Sequence, residues 1–189
     1  NVSIMFFGDS FTHGECVPRG RGLVAATRAR YPTTLNLGIP GNEPLLQLAG
    51  VVEYGVHVKP AHVVWVYYQN DITGLAEQQH NPILIRYLEN DFSQELFSRQ
   101  AQIDELLETH HERLLAAALT KLKDDTMWAG LPGRLFDTAL LRHLRVKFDL
   151  RAFTRGARDN AHRDSETLQL FAKILSRTKD IIQVWGGRF

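Results

Sequence analysis

Val2-Ser3-Ile4-Met5-Phe6-Phe7-Gly8-Asp9-Ser10 opens the chain with a nearly continuous apolar run that stops at a glycine and turns polar at once. Such a short run without alternation suits a strand buried on both faces, as in a parallel sheet. Working outward, Leu23 to Arg30 reads as a helix closed by Tyr31-Pro32, and Thr34 to Leu37 as a second short strand ending at Gly38. Pro44 stands where a first helical position belongs, and Leu45, Leu48, Ala49 and Val52 follow at helical spacing until Pro60 breaks the segment. His62-Val63-Val64-Trp65-Val66-Tyr67-Tyr68 is β-branched and aromatic and reads as a third strand. Strand, helix, strand, helix, strand in this order implies right-handed crossovers and a parallel sheet.

Beyond Asp71 the character becomes helical. Ile103, Leu107, Leu114, Ala118 and Leu122 mark the apolar face of a long amphipathic helix. A turn at Gly130 to Gly133 precedes a second helical stretch, Leu135 to Phe148, and Thr154 to Arg163 reads as a polar loop. A last helix starts near Asp164 or Ser165, carries Leu168, Phe171, Leu175, Ile182 and Trp185, and closes at Gly186-Gly187 as a C-cap. Residues 1–189 are read as a single α/β domain with a helical insertion after the third strand. A helix in such a fold hands the chain back to a strand, and only Arg188 and Phe189 follow. The chain is therefore expected to stop as its next strand begins. It opens with Asn1 rather than Met, so its original N-terminus is expected to have been removed.

The bulk properties narrow the classes of function. A formal net charge of +1 gives no electrostatic case for nucleic acid or an anionic membrane. No stretch of about twenty apolar residues spans a bilayer. Cys16 is the sole cysteine, so no internal disulfide is possible, and it is read as a structural thiol. Arg19 and Arg21, in a Gly-rich turn, read as a solvated loop. His110 and His111 are adjacent and cannot both face one metal; with His57, His62, His80 and His143 they are read as structural or surface residues. No metal ligand set or organic cofactor is expected: Gly-x-Gly-x-x-Gly and a Walker loop are both lacking, and the absence of Gly-x-Ser-x-Gly argues against an ordinary α/β-hydrolase elbow.

Polar residues follow each strand at its C-terminal end: Ser10 after the first, Gly41 and Asn42 after the second, Asn70 and Asp71 after the third. Open parallel sheets bind ligands at that edge, where distant turns converge. The three positions suit acyl transfer. Ser10 in a tight strand-to-helix turn is a candidate nucleophile, and the Ser10 N–H, the Gly41 N–H and the Asn70 amide are candidate oxyanion donors. Asp9 either orients the serine turn through backbone amides or caps the following helix. Asp71 is expected to stabilise the third turn, His13 to be a surface residue at the helix start, and Trp65 to lie in the core.

Phe7-Gly8-Asp9-Ser10-Phe11-Thr12 resembles the first block of the GDSL/SGNH hydrolase family. Asn36-Leu37-Gly38-Ile39-Pro40-Gly41-Asn42 resembles its second block, and Tyr68-Gln69-Asn70-Asp71 its third, with Tyr68 in place of the usual glycine. The resemblance covers residues 2 to 75. It implies a flavodoxin-like three-layer α/β/α fold, Ser10 as catalytic serine, Gly41 and Asn70 at the oxyanion positions, and esterase activity through an acyl-enzyme. The implied substrates are small-molecule or carbohydrate acyl or acetyl esters. The family's Asp-x-x-His block is expected after the final strand and therefore beyond this chain, which alone is expected to be inactive or weakly active. Asp159-Asn160-Ala161-His162 matches the pattern but comes too early, and reads either as that dyad or as a capping aspartate and a loop histidine. A non-catalytic acyl- or glycan-binding module and an O-acyltransferase are the alternative functions.

Overall fold

The computed structural model describes residues 2–15, 17–128 and 160–189. They fall into two compact units, Asn1–Ser98 with His162–Phe189, and Arg99–Ala161. The first carries β1 (Ile4–Phe7), α1 (Ser10–His13), α2 (Leu23–Arg30), β2 (Thr34–Asn36) and α3 (Pro44–Gly50). A π-helical turn, Val51–Gly55, leads from α3 into α4 (Val56–Val58), followed by β3 (His62–Trp65) and α5 (Asn70–Gln78). The second unit carries α6 (Gln100–Trp128), and α7 (Asn160–Val184) returns the chain to the first.

The sheet has the order β2-β1-β3 and is parallel throughout, so the protein is α/β as its alternating elements require. Met5 pairs with Leu35 on one side and Val63 on the other. Flanked on both sides, β1 must be apolar on both faces, and Met5, Phe6 and Phe7 are all buried. Met5 and Phe7 join Leu45, Leu48, Val51 and Val63 in one core, with Ile174, Ile181 and Ile182 from α7. Phe6, the intervening residue, points to the opposite face, as strand alternation demands. Each such side chain contributes roughly 1.5–3 kcal/mol when taken from water.

Local signals set the boundaries. Pro44 occupies the first turn of α3. Lys59, at φ 50°, takes the left-handed conformation that ends α4 before Pro60. β3 stops at Trp65, short of Tyr68, because Trp65 is the partner of Phe7 and β1 has nothing further to offer. α7 begins at Asn160, earlier than the sequence pattern indicates, and ends before Gly186, whose φ is 77°. Past the glycines, Arg188 forms a parallel bridge with His62 on the free side of β3. The helix predicted across Ile103 to Leu122 is present, with Leu107 and Leu114 of its apolar stripe exposed. Cys16, Gly130 to Gly133, Leu135 to Phe148 with His143, and Asp159 lie outside the described residues, as does the loop from Thr154 as far as that aspartate.

The π-helical turn places Glu53 inside the first unit, 1% exposed. Its carboxylate accepts hydrogen bonds from Tyr87 Oη (2.7 Å), Ser93 Oγ (3.1 Å) and the backbone N–H groups of Gln94 (2.6 Å) and Leu96 (2.7 Å). Burial pushes this carboxyl up, but the two backbone donors, with Tyr87 and Ser93, outweigh it and hold it below its ordinary range. A residue whose folded-state value is depressed stabilises above the unfolded value, and that contribution fades as pH falls through the folded one. Glu53→Gln removes a charged acceptor from four donors and is expected to cost about 3 kcal/mol, or ~6–12 °C in melting temperature. Thermal unfolding should show the gap to the wild type narrowing below about pH 4.

Candidate active site

The turn after β1 is built from contact outward. At Gly8, φ is 156°, and a Cβ would lie 2.0 Å from Thr12 Oγ1. Only glycine lets α1 fold back so closely over the end of the strand. Asp9 is 1% exposed and caps α1, its Oδ1 accepting from the Phe11 N–H at 2.9 Å. Both roles anticipated for Asp9, orienting the turn and capping the helix, are thus the same bond. Ser10 is the first residue of α1 and half-buried at the rim. The N–H at that position has no acceptor within the helix. Gly14, left-handed at φ 88°, ends α1 after one turn.

The turn after β2 is strapped to the first. Asn36 Nδ2 donates to Thr12 O at 3.0 Å, and its Oδ1 accepts from the Gly38 N–H at 2.9 Å. Asn42 Nδ2 donates to Gly8 O at 3.2 Å. His13 Nδ1 lies 3.1 Å from Gly38 O, so its ring is tied to this turn rather than to Ser10. Gly41, left-handed at φ 76°, is exposed with open space around it. Asn36, Thr12 and Asn42 are structural members of the site whose roles sequence reading missed, because their bonds join residues 24 and 34 positions apart and leave no local signal.

The third turn closes the group. Asn70 begins α5, and its Nδ2 donates to Asp9 Oδ2 at 3.4 Å. Asp71 is fully buried; its Oδ2 accepts from the Tyr68 N–H at 2.9 Å and so stabilises the turn as expected. Burial pushes the Asp71 carboxyl up, the Tyr68 N–H lowers it, and neighbouring Asp9 raises it again, to about 6. Phe11 and Tyr68 pack ring to ring at 4.3 Å, both about half exposed, and form an apolar wall beside Ser10. Tyr68 is therefore part of a surface.

The topology explains the meeting point. The connection from β1 to β2 leaves on one side of the central strand, and the next crosses to the other, so β1 and β3 diverge at a switch point. Parallel sheets bind ligands outside such points. Ser10 follows β1, Asn70 follows β3, and both positions neighbour Asp9, so they share one rim. Gly41 comes from the turn that Asn42 bonds to Gly8. A cavity of about 450 Å3 lies behind α1, lined by Thr12, His13, Arg28 and Asn36 among others, and does not include the three candidates.

Among the described residues no histidine is hydrogen-bonded to Ser10. His162 is in the first turn of α7 rather than in a loop. Trp65 is half-buried against the core, and His57 stacks on Phe97 at 4.4 Å. No group of three metal-ligating side chains occurs among the described residues, and no described helix is long and apolar enough to cross a membrane. Comparison with family models, with curated proteins and with solved structures finds no match to this chain.

Gly38 carries the tightest junction between the first two turns. A Cβ there would lie 2.6 Å from Thr12 Cβ and 2.7 Å from the His13 backbone nitrogen. Gly38→Ala is expected to push α1 away and to cost about 1–3 kcal/mol in urea unfolding.

Proposed function

We propose that this chain carries the nucleophile and oxyanion donors of a GDSL/SGNH-type serine esterase on a flavodoxin-like α/β/α scaffold. The observation that carries this reading is the Asn70 amide reaching the Asp9 carboxylate, which links the third turn to the serine turn across the switch point. The sheet order β2-β1-β3 is compatible with the scaffold.

The chemistry follows from the placement. Ser10 Oγ attacks an ester carbonyl carbon, forming a new C–O bond as the carbonyl electron pair moves to oxygen. The oxyanion is held by the N–H groups of Ser10 and Gly41 and by the Asn70 amide. Collapse breaks the bond to the alcohol, which leaves with the proton taken from Ser10 by a histidine base. Water then attacks the acyl carbon, the bond to Ser10 Oγ breaks, the carboxylic acid leaves, and Oγ takes up the proton that water lost to the base. The base comes from residues other than those around Ser10 in the structure. The Phe11–Tyr68 pair supports an acyl group or the apolar face of a sugar as the bound moiety.

A second reading, a non-catalytic acyl- or glycan-binding module, is favoured by one observation: His13, the histidine nearest Ser10 in sequence, is committed to Gly38. An O-acyltransferase would use the same serine and differ in passing the acyl group to a sugar hydroxyl.

A fluorophosphonate probe should label the protein at Ser10, and labelling that survives Ser10→Ala would reject the assignment. With p-nitrophenyl acetate, Asn70→Ala should lower turnover of a fully active form by about 10²–10³. Binding of an acyl sugar unchanged by Ser10→Ala, with no turnover in any form, would instead support the binding module.

A further inference from the structure

Glu43 occupies the N-cap position of α3, yet its side chain makes no capping hydrogen bond. It turns instead against α5, into a slot that Gly74 leaves open. A Cβ at Gly74 would come within 2.2 Å of Glu43 Cδ. Glycine weakens a helix interior, and here it makes room for a carboxyl group one turn beyond Asn70 and Asp71. Glu43 Oε2 ends there buried, without a hydrogen-bond partner among the described residues, as does Asp71 Oδ1.

The charged groups acting on Glu43 come from two elements, Asp9 from the turn after β1, and Asp71 and Glu77 from α5. All are acidic. Asp9 and Asp71 are buried and already committed as acceptors, Asp9 for the Phe11 N–H and the Asn70 amide, Asp71 for the Tyr68 N–H. Neighbouring carboxylates withdrawn from water cannot all ionise without large repulsion, so the group takes up a proton. Glu43 Oε2 has no donor bonded to it among the described residues, and Glu43 is the place for that proton.

We propose that Glu43 is a positioning residue of this site: its carboxyl group, lodged in the Gly74 slot, carries a proton that spares the neighbouring acceptors Asp9 and Asp71 a further charge and so helps hold the turns bearing Ser10 and Asn70. The catalytic meaning of that positioning rests on the hydrolase reading; the proton on Glu43 does not. Burial first, then Asp71, Asp9 and Glu77, push the Glu43 carboxyl up to about 7. An acid raised in the folded state binds its proton more tightly there than in the unfolded chain. Stability therefore falls as pH rises from the ordinary carboxylate range through about 7.

Melting curves of the wild type, Glu43→Gln and Gly74→Ala, from about pH 5 to about pH 9, test the proton directly. The wild type should lose melting temperature across this range. Glu43→Gln, permanently neutral, should match it at the acid end and melt several degrees higher at the alkaline end. Gly74→Ala, which expels the carboxyl group towards water, should flatten the profile as well. The side-chain amide signal of Asn70 in NMR tests the positioning: it should titrate near neutrality in the wild type and lose that step in Glu43→Gln. Parallel melting profiles for wild type and Glu43→Gln, or an unchanged Asn70 titration, would overturn the proposal. Neither readout requires activity, so failure of Ser10 to react with a fluorophosphonate would count against the hydrolase reading alone. Where labelling occurs, the ratio of Glu43→Gln to wild-type rates should rise several-fold between the acid and alkaline ends, and a flat ratio counts against Glu43.

Discussion

Asp9 is a buried charge placed where three chain turns meet, and the arrangement of the site follows from keeping that charge satisfied. A carboxylate withdrawn from water is tolerated only when donors replace its hydration. The donors here are the Phe11 N–H and the Asn70 amide, one from the turn that carries Ser10 and one from the turn after β3. Satisfying one side chain therefore fixes the relation between two segments separated by 61 residues. The glycine before Asp9 supports this from behind, since Thr12 occupies the space a Cβ at Gly8 would need. The second turn joins through Asn36 and Asn42, whose amides donate to Thr12 O and Gly8 O. Only small residues and short amides allow three backbone turns to approach so closely.

Legibility in the sequence tracks how local each cause is. The apolar run of β1, Pro44 at the start of α3 and the spacing of Leu45 and Leu48 are local signals, and these elements are present. The parallel sheet was legible from the alternation of elements, whereas no local signal names its order β2-β1-β3. The end of β3 was not legible, because Val66 to Tyr68 look as β-prone as the residues before them. What stops the strand is the loss of its partner once β1 ends at Phe7. The start of α7 was missed for the converse reason: Asn160 to Arg163 are polar, and polarity reads as loop when no packing face is visible. At the site, Asp9, Ser10, Gly41, Asn70 and Asp71 could be read because they sit in short blocks after strands. Glu43, the Phe11–Tyr68 pair and the Asn36 strap could not, since each depends on residues 24 to 57 positions apart or on a slot in another helix.

The topology also separates what this sheet edge can do alone from what it needs. A switch point between β1 and β3 brings a hydroxyl, an open left-handed glycine and a side-chain amide to one rim. In the proposed esterase those groups would stabilise negative charge on a substrate oxygen, the part of acyl transfer that demands preorganisation. Proton removal from the hydroxyl is a separate task, and it demands an imidazole aimed at Ser10. His13 is three residues away in sequence, but the fold directs its ring to Gly38 O. The proposed function therefore asks a different part of the protein for proton transfer, because the four-residue helix that carries Ser10 commits its own histidine to Gly38 O.

Two glutamates ten positions apart, Glu53 buried and Glu43 half-buried, show how the fold distributes its polar groups. Glu53 is enclosed by four donors, and its carboxylate is held below the ordinary range even though burial opposes ionisation. Glu43 meets no donor, faces three acids and is driven the other way. The first holds residues 87 to 96 to the π-helical turn and is a fixture of stability, insensitive to pH near neutrality. The second stands beside the candidate site, where Thr12 Oγ1, Gln47 Oε1 and Asp71 Oδ1 are likewise buried without partners among the described residues. Unsatisfied polar atoms destabilise a fold wherever they occur, and the buried Oε2 of Glu43 carries a cost that the four-donor carboxylate of Glu53 does not. That asymmetry, one carboxylate enclosed by donors and the other lodged among acids, distinguishes the support of this sheet from the edge proposed as its site.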